Sequence, residues 1–330
     1  MKKPYNNLHK LCFIVFFLFA VSSKAQVLLP TVETAFDAQQ HNFNPEVIKS
    51  KGIKKITFDI IDKKDFEVAV DKNLTETYEF NSDGNLSRYY YTTIVKTLER
   101  HVTGGRSHRT FSEYIYDTVS TAYFYSGSNL ILKRYHDGAN YYESRYYRYD
   151  ASGNLTRELR FKETNNSRDR SVFILGNQLL LSEDSFQYQK YNSGQVKCIF
   201  LNNENRPYKE KITNVDSLGR KKNINENYTV ASWIMQESKF EYTTGNRLSR
   251  ARFEGNANNK IVLLNTYEYD DRNELYTEKQ FKNDVLVKEI SYVSDKSNNL
   301  LNSFIVRDPA AKTMRIVRLK YDFGSVGKSE

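Results

Sequence analysis

Six aspartates recur in a repeated phrase along this chain of 330 residues: Asp83, Asp117, Asp150, Asp216, Asp270 and Asp322. Carboxylates could act as acid and base, or ligate calcium. Their recurrence at one point of a repeated phrase argues for another role, because an active site needs its acid once and a turn needs it in every copy. His101 and His108 flank Gly104 and Gly105 in KTLERHVTGGRSHR, without the short-spaced ligand pair that a zinc site uses. Lys96, Arg100, Arg106 and Arg109 in the same stretch read as a basic, solvated hairpin tip. Cys198 alternates with Val196 and Phe200, and no histidine lies near it, so it reads as a buried, inert thiol. Nucleophile-elbow, metalloprotease, phosphate-loop and dinucleotide motifs are missing from the sequence. The chain is therefore read as a non-enzyme, with no cofactor and no metal.

Tyrosine is the other residue type that could do something. The chain has 25 Tyr and 20 Phe but one Trp. In NYYESRYYRYD, strand alternation puts Tyr142 and Tyr146 with Arg148 on the face opposite Tyr147 and Tyr149. By the same alternation Tyr89 and Tyr91 oppose Leu86 and Tyr90. If the leucine-bearing face is the core, Tyr89, Tyr91, Tyr142, Tyr146 and Arg148 form an exposed strip. Flat phenol rings beside hydrogen-bonding groups suit sugars. The competing reading is a sheet covered on both faces, in which every ring is packing.

These residues must be placed by hairpins. In YRYDASGNLTRELRF, Tyr147 and Tyr149 share one strand face. Asp150 can bond its own backbone, and Gly153 and Asn154 tolerate positive φ, so the chain reverses there. Leu155, Leu159 and Phe161 are then read as one face of the returning strand. Copies start at residues 78, 114, 147, 240 and 267, with weaker echoes near 191 and 215, the drifting spacing of a repeat array. Turns are assigned to Asp83, Gly84 and Asn85, to Asp150, Gly153 and Asn154, and to Gly245 and Asn246. The expected fold is all-β: an elongated antiparallel β-hairpin repeat array, as an open twisted sheet or a partly closed shell, with a short N-terminal helix.

The phrase Y-x-Y-D-x-x-G-N-L resembles the YD repeat of Rhs-type and teneurin-type proteins, whose strands coil into β-shells. The resemblance covers roughly residues 78–322 in scattered units. It implies a hairpin array, and the few, degenerate copies look like those of small secreted bacterial proteins. A caged toxin is not implied, since no shell-closing or autoproteolytic segment is recognisable.

The remaining segments set the address. Lys2, Lys3 and Lys10, the apolar run Leu11 to Val21, and Ser23-Lys24-Ala25 read as a signal peptide over 1–25. Residues 26–52 read as a leader with a helix capped by Asn44, begun by Pro45 and ended by Gly52. That segment is expected to cover the first edge of the array, and 53–330 to form the hairpin domain. The net charge of +9 is modest for this length and does not call for nucleic acid. No membrane span is expected after signal cleavage. The sequence thus describes an exported periplasmic, cell-surface or extracellular scaffold or binding protein, whose partner is a glycan or envelope protein. An immunity or accessory partner of a YD-repeat toxin is the second reading, and a hydrolase the third. Mass spectrometry of the exported protein should find Gln26 at the N-terminus; an intact Met1 would contradict the signal-peptide reading.

Overall fold

The aromatic pair, turn and leucine fold into antiparallel hairpins, and the hairpins close on themselves. The computed structural model describes residues 26–36, 41–104, 107–138, 141–169, 172–191, 194–256, 259–295, 297–298 and 300–324, with the backbone alone for 100–111. The signal-peptide segment and the side chains of Arg100, His101, Arg106, His108 and Arg109 lie outside the described residues. A helix, α1 (Pro45–Lys51), precedes eighteen strands. The first nine are β1 (Ile53–Lys64), β2 (Val70–Phe80), β3 (Leu86–Gly104), β4 (Ser107–Ser126), β5 (Asn129–His136), β6 (Tyr142–Tyr149), β7 (Leu155–Asn165), β8 (Leu175–Tyr191) and β9 (Gln195–Leu201). The other nine are β10 (Pro207–Val215), β11 (Lys221–Tyr228), β12 (Met235–Tyr242), β13 (Leu248–Gly255), β14 (Ile261–Tyr269), β15 (Leu275–Lys282), β16 (Val285–Asp295), β17 (Leu300–Asp308) and β18 (Thr313–Phe323). Each strand pairs with its chain neighbours, and β18 pairs with β1 from Ile53 opposite Phe323 to Lys64 opposite Thr313. The sheet is a closed barrel, so the open-sheet alternative is corrected. Closure leaves no strand with an unpaired edge to cover.

One turn is written six times, at residues 81–85, 150–154, 202–206, 216–220, 243–247 and 270–274. The first N–H donates to the fifth carbonyl and the fourth N–H to the first carbonyl, as Asp150 to Asn154 and Gly153 to Asp150, both 3.0 Å. The first side chain accepts from backbone amides inside the turn: Asp150 Oδ1 from Ser152 at 2.8 Å and Asn154 at 2.9 Å. Asn81, Asn202, Asp216 and Asp270 do the same, and Thr243 accepts one such bond. The fourth residue has positive φ, Gly at 84, 153 and 219 and Asn at 205, 246 and 273, the two types that tolerate it. Asp83 is the third residue of its turn, and its carboxylate meets Lys49 instead. Asp117 and Asp322 lie within β4 and β18. The acid is thus one of several acceptors for the turn.

Beside the turns the ladder carries β-bulges. Arg148 faces Arg157 but Tyr149 faces Leu155, so Thr156 is the extra residue, and its hydroxyl donates to the Arg148 carbonyl at 3.1 Å. Ser87 plays the same part, donating to Glu79 at 3.0 Å. Each bulge reverses which parity faces inward. Leu155 therefore points into the barrel opposite Tyr149, whereas Leu159 and Phe161 point outward, correcting the single face read from the sequence. The tyrosine just before a turn reaches across to the neighbouring hairpin's bulge. Tyr149, Tyr242, Tyr269 and Tyr321 donate their hydroxyls to the carbonyls of Leu130, Lys221, Leu248 and Leu301 at 2.6–2.9 Å. Each of these carbonyls belongs to a residue beside a register shift.

The leader lies inside the barrel. Val27, Leu28, Phe43, Val47 and Ile48 pack on Ile56, Phe58, Tyr78, Phe80 and Phe304. On the far side, Val32, Ala35 and Phe36 pack on Phe240, Leu248, Ala251 and Leu275. Polar anchors fix it: the Leu275 N–H donates to Gln26 Oε1 at 3.0 Å, Lys221 pairs with Glu33, and Asn265 donates to the Ala35 carbonyl. Asn44 caps α1 and Gly52 ends it at φ 66°. Gly84 lies so close to α1 that a Cβ there would sit 2.1 Å from the Pro45 carbonyl oxygen. The leader is a plug rather than an edge cover. Burying each large apolar side chain of the plug contributes about 1.5–3 kcal/mol.

The outward face mixes exposed apolar side chains such as Phe124, Leu180 and Val293 with ion pairs. At mid-strand it carries Lys197–Glu210 at 2.7 Å, Arg252–Glu254 at 2.6 Å and Lys320–Asp59 at 2.6 Å. A hydrocarbon layer would disfavour each exposed Lys or Arg there by about 2–4 kcal/mol. No helix among the described residues is long and apolar enough to cross a membrane.

Removing the Tyr269 hydroxyl leaves the Leu248 carbonyl without its donor. Tyr269→Phe should lower unfolding free energy in urea by about 1–3 kcal/mol, while Tyr276→Phe, whose hydroxyl bonds Glu268 at the exposed surface, should stay within about 0.5 kcal/mol. Equal effects would contradict the coupling of hairpins through tyrosine.

Candidate binding site in the barrel lumen

The plug fills the lumen near the turns that follow even-numbered strands and leaves open the part toward the opposite rim. A cavity of about 800 Å³ remains there. Alternation brings Tyr89 and Tyr91 of β3, Thr121 and Tyr123 of β4, Lys133 and Tyr135 of β5, and Glu143 and Arg145 of β6 to its wall. The adjoining wall is mainly aliphatic: Ile60, Leu74, Ile290, Val306 and Val317, with Glu76, Lys288 and Arg315 among them.

The polar wall is ordered by ion pairs and stacked rings. Arg160 grips Glu143 with two bonds of 2.8 Å, and Arg145 reaches Glu158 at 3.2 Å. The Arg160 bond holds the Glu143 carboxyl below the ordinary carboxylate range. Tyr89 stacks on Tyr78 at 4.8 Å and lies 5.6 Å from Tyr91. Tyr78 donates to Glu76 at 2.7 Å. Burial raises the Tyr89 and Tyr135 hydroxyls above the ordinary phenol value and pushes Tyr147 up to about 12. These groups are neutral phenols and paired ions at physiological pH.

A smaller cavity of about 80 Å³ separates plug from wall, between Leu28, Thr34, His41, Glu278, Lys288 and Tyr292. Glu278 accepts from Gln280 at 2.7 Å and Tyr292 at 3.0 Å. Burial raises its carboxyl and lowers the His41 imidazole, both toward the neutral form.

The strip expected from the sequence is divided by the barrel wall. Tyr89 and Tyr91 face the lumen, whereas Tyr142, Tyr146 and Arg148 face outward, because the bulge at Ser87 flips β3. The outer rings are already engaged. Tyr142 stacks on His136 at 4.2 Å and meets Phe173 edge-on at 4.9 Å. Tyr146 donates to Glu163 at 2.7 Å, and this fully buried carboxylate also accepts from Ser144 at 2.5 Å, Arg134 at 3.1 Å and Gln178 at 2.8 Å. Arg134 in turn lies 3.6 Å from the Phe173 ring centre. This satisfied cluster fastens the β7–β8 connection to the outer wall. Sequence reading missed Tyr123, Lys133, Tyr135, Glu143 and Arg145; the alternation in KRYH and YESRYY was visible, but the inward face was not. Cys198 is buried opposite Tyr188, and burial raises its thiol. Among the described residues no three His, Cys, Asp or Glu cluster as metal ligands.

No family model matches the chain, and no curated protein matches it in sequence. The likeness to YD repeats therefore rests on the turn residues. Among solved structures, a porin-like protein from Bacteroides uniformis matches with TM-score 0.36 and 12% identity over 82% of this chain and 98% of that one. A porin-like protein from Bacteroides vulgatus gives 0.33 and 9% over the same shares. The complex TcdB2-TccC3-Cdc42 gives 0.21 and 10% over 73% of this chain and 14% of that one. Scores this low leave the site to be read from its own residues.

The titration of Glu278 gives a test. An acid whose folded pKa is raised stabilises the fold below its ordinary range, and that stability is lost as pH rises through the folded value. Glu278→Gln should therefore gain thermal midpoint relative to the native protein as pH rises from 4 to 8. A difference that is flat with pH would place Glu278 in water.

Proposed function

We propose that this is an exported, non-catalytic binding protein of the bacterial envelope or exterior, holding an oligosaccharide in the open part of its lumen. The observation that carries this reading is one cavity lined by the ladder Tyr78, Tyr89 and Tyr91 and by Glu143 and Arg145, which Arg160 and Glu158 hold in place. A phenol face gives a sugar ring apolar contact, and fixed ions offer donors and acceptors of set direction to its hydroxyls. The cavity's volume falls within the roughly 300–1,000 Å³ of ligand sites. Glu143, Glu158 and Asp62 are each paired with an arginine, at 2.8 Å, 3.2 Å and 2.9 Å. Catalysis by general acid would instead want a carboxyl kept protonated against the substrate.

Calorimetric titration with malto-, cello- and chito-hexaose tests the reading. At least one should bind, and Tyr91→Ala should weaken it at least tenfold with the thermal midpoint retained, since stacked rings contribute about 1–2 kcal/mol or more at binding centres. Tyr146→Ala, on the outer wall, should bind as the native protein does. Loss of binding in Tyr146→Ala with Tyr91→Ala unaffected would move the site to the outside.

A further inference from the structure

Sugar recognition accounts for only one wall of the cavity. Beside the tyrosines, along the adjoining strands, Ile60, Leu74, Ile290, Val306 and Val317 present a surface with which hydroxyl groups gain nothing. Further apolar residues lie at the rim beyond the cavity. Val70 pairs with Asp62 and so faces inward one step nearer the rim; it is 45% exposed, and beyond it Val68 is 86% and Phe66 104% exposed at the β1–β2 turn. Singly exposed apolar residues need no explanation, but three of them gather at this rim, beside the Arg315–Asp62 and Lys72–Asp62 ion pairs. Phe66 in addition has φ 66°, a backbone region that a bulky residue enters only under strain. The plug closes the other end of the lumen, so this rim is the way in.

We propose that the ligand of the lumen is an amphiphile, a sugar headgroup bearing one alkyl or acyl chain, with its chain along the aliphatic wall and its head against the tyrosine wall. The proposal rests on the reading of the lumen as an oligosaccharide site and names the class of ligand more narrowly. The chain enters past Phe66, Val68 and Val70 and displaces water from Leu74 and Val306. The head meets Tyr91 and Arg145, where hydrogen bonds replace those it loses. A free sugar would leave the aliphatic wall hydrated, and a bare fatty acid would leave the tyrosine wall unused.

The test titrates the full mature chain with octyl, decyl and dodecyl maltoside below their micellar concentrations, and with maltose, maltohexaose and laurate. Affinity for the alkyl maltosides should rise roughly threefold to fourfold per added CH₂. Val70→Asn, at an exposed position that leaves folding intact, and Leu74→Asn, checked by thermal midpoint, should each weaken dodecyl maltoside at least tenfold while maltohexaose binding is unchanged. Maltohexaose binding well with no gain from an alkyl chain would overturn the amphiphile and leave the oligosaccharide site standing. Laurate binding as tightly as dodecyl maltoside would retain the chain site and overturn the sugar head. Binding of none of these probes, nor of cello- or chito-hexaose, would overturn both.

Discussion

The closed sheet is tied together beside four of its turns, where a bulge leaves a carbonyl out of register and a tyrosine hydroxyl from the next hairpin donates to it. A hairpin of this length is marginal alone. Its stability comes from the strands on either side, and the tyrosine bond ties one bulge to the next at a spacing of one hairpin. Four such bonds recur around the barrel, from Tyr149 to Leu130 through Tyr321 to Leu301. A buried carbonyl with no donor is costly, so each bond favours the local twist that carries the sheet round until β18 meets β1.

An eighteen-strand barrel creates a problem that smaller ones avoid. Side chains can fill the interior of about eight strands, but larger barrels enclose open space. Here the space is divided. The plug supplies Phe43, Ile48 and Val47 to one core and Phe36 and Ala35 to another, on adjoining arcs of the wall that meet at Tyr292. The remainder stays open toward the opposite rim, lined by groups that water and polar ligands can share. The open cavity is thus a consequence of how far the plug reaches, and the proposed binding site lies in it.

The turns were legible in the sequence because they are local: an acceptor, two free positions, then Gly or Asn, with every bond made inside five residues. The helix was legible for the same reason, through Asn44, Pro45 and Gly52. Closure was not, since Ile53 meets Phe323 only when all the hairpins between them are in place. The site was half legible. Tyr89 and Tyr91 could be picked out as unusual, but parity was counted from Leu86 without the extra residue Ser87, and one residue of slip moves every following side chain to the other face. Tyr142 and Tyr146 face outward but are half-buried, and Phe173 packs on Tyr142, a contact across more than twenty residues that no local pattern announces.

The account stands or falls on the closed barrel with its plug inside. Amide hydrogen exchange followed by mass spectrometry, on the mature protein at neutral pH, measures this directly. Peptides from β1 and β18 should exchange as slowly as those from β14 and β15, because each of these strands is hydrogen-bonded to a neighbour on both sides, and the Val47–Ile48 amides should be protected with them. Fast exchange along Ile53–Lys64 and Thr313–Phe323, ahead of the strands between them, would mean that the sheet ends in two free edges and that neither lumen nor plug exists.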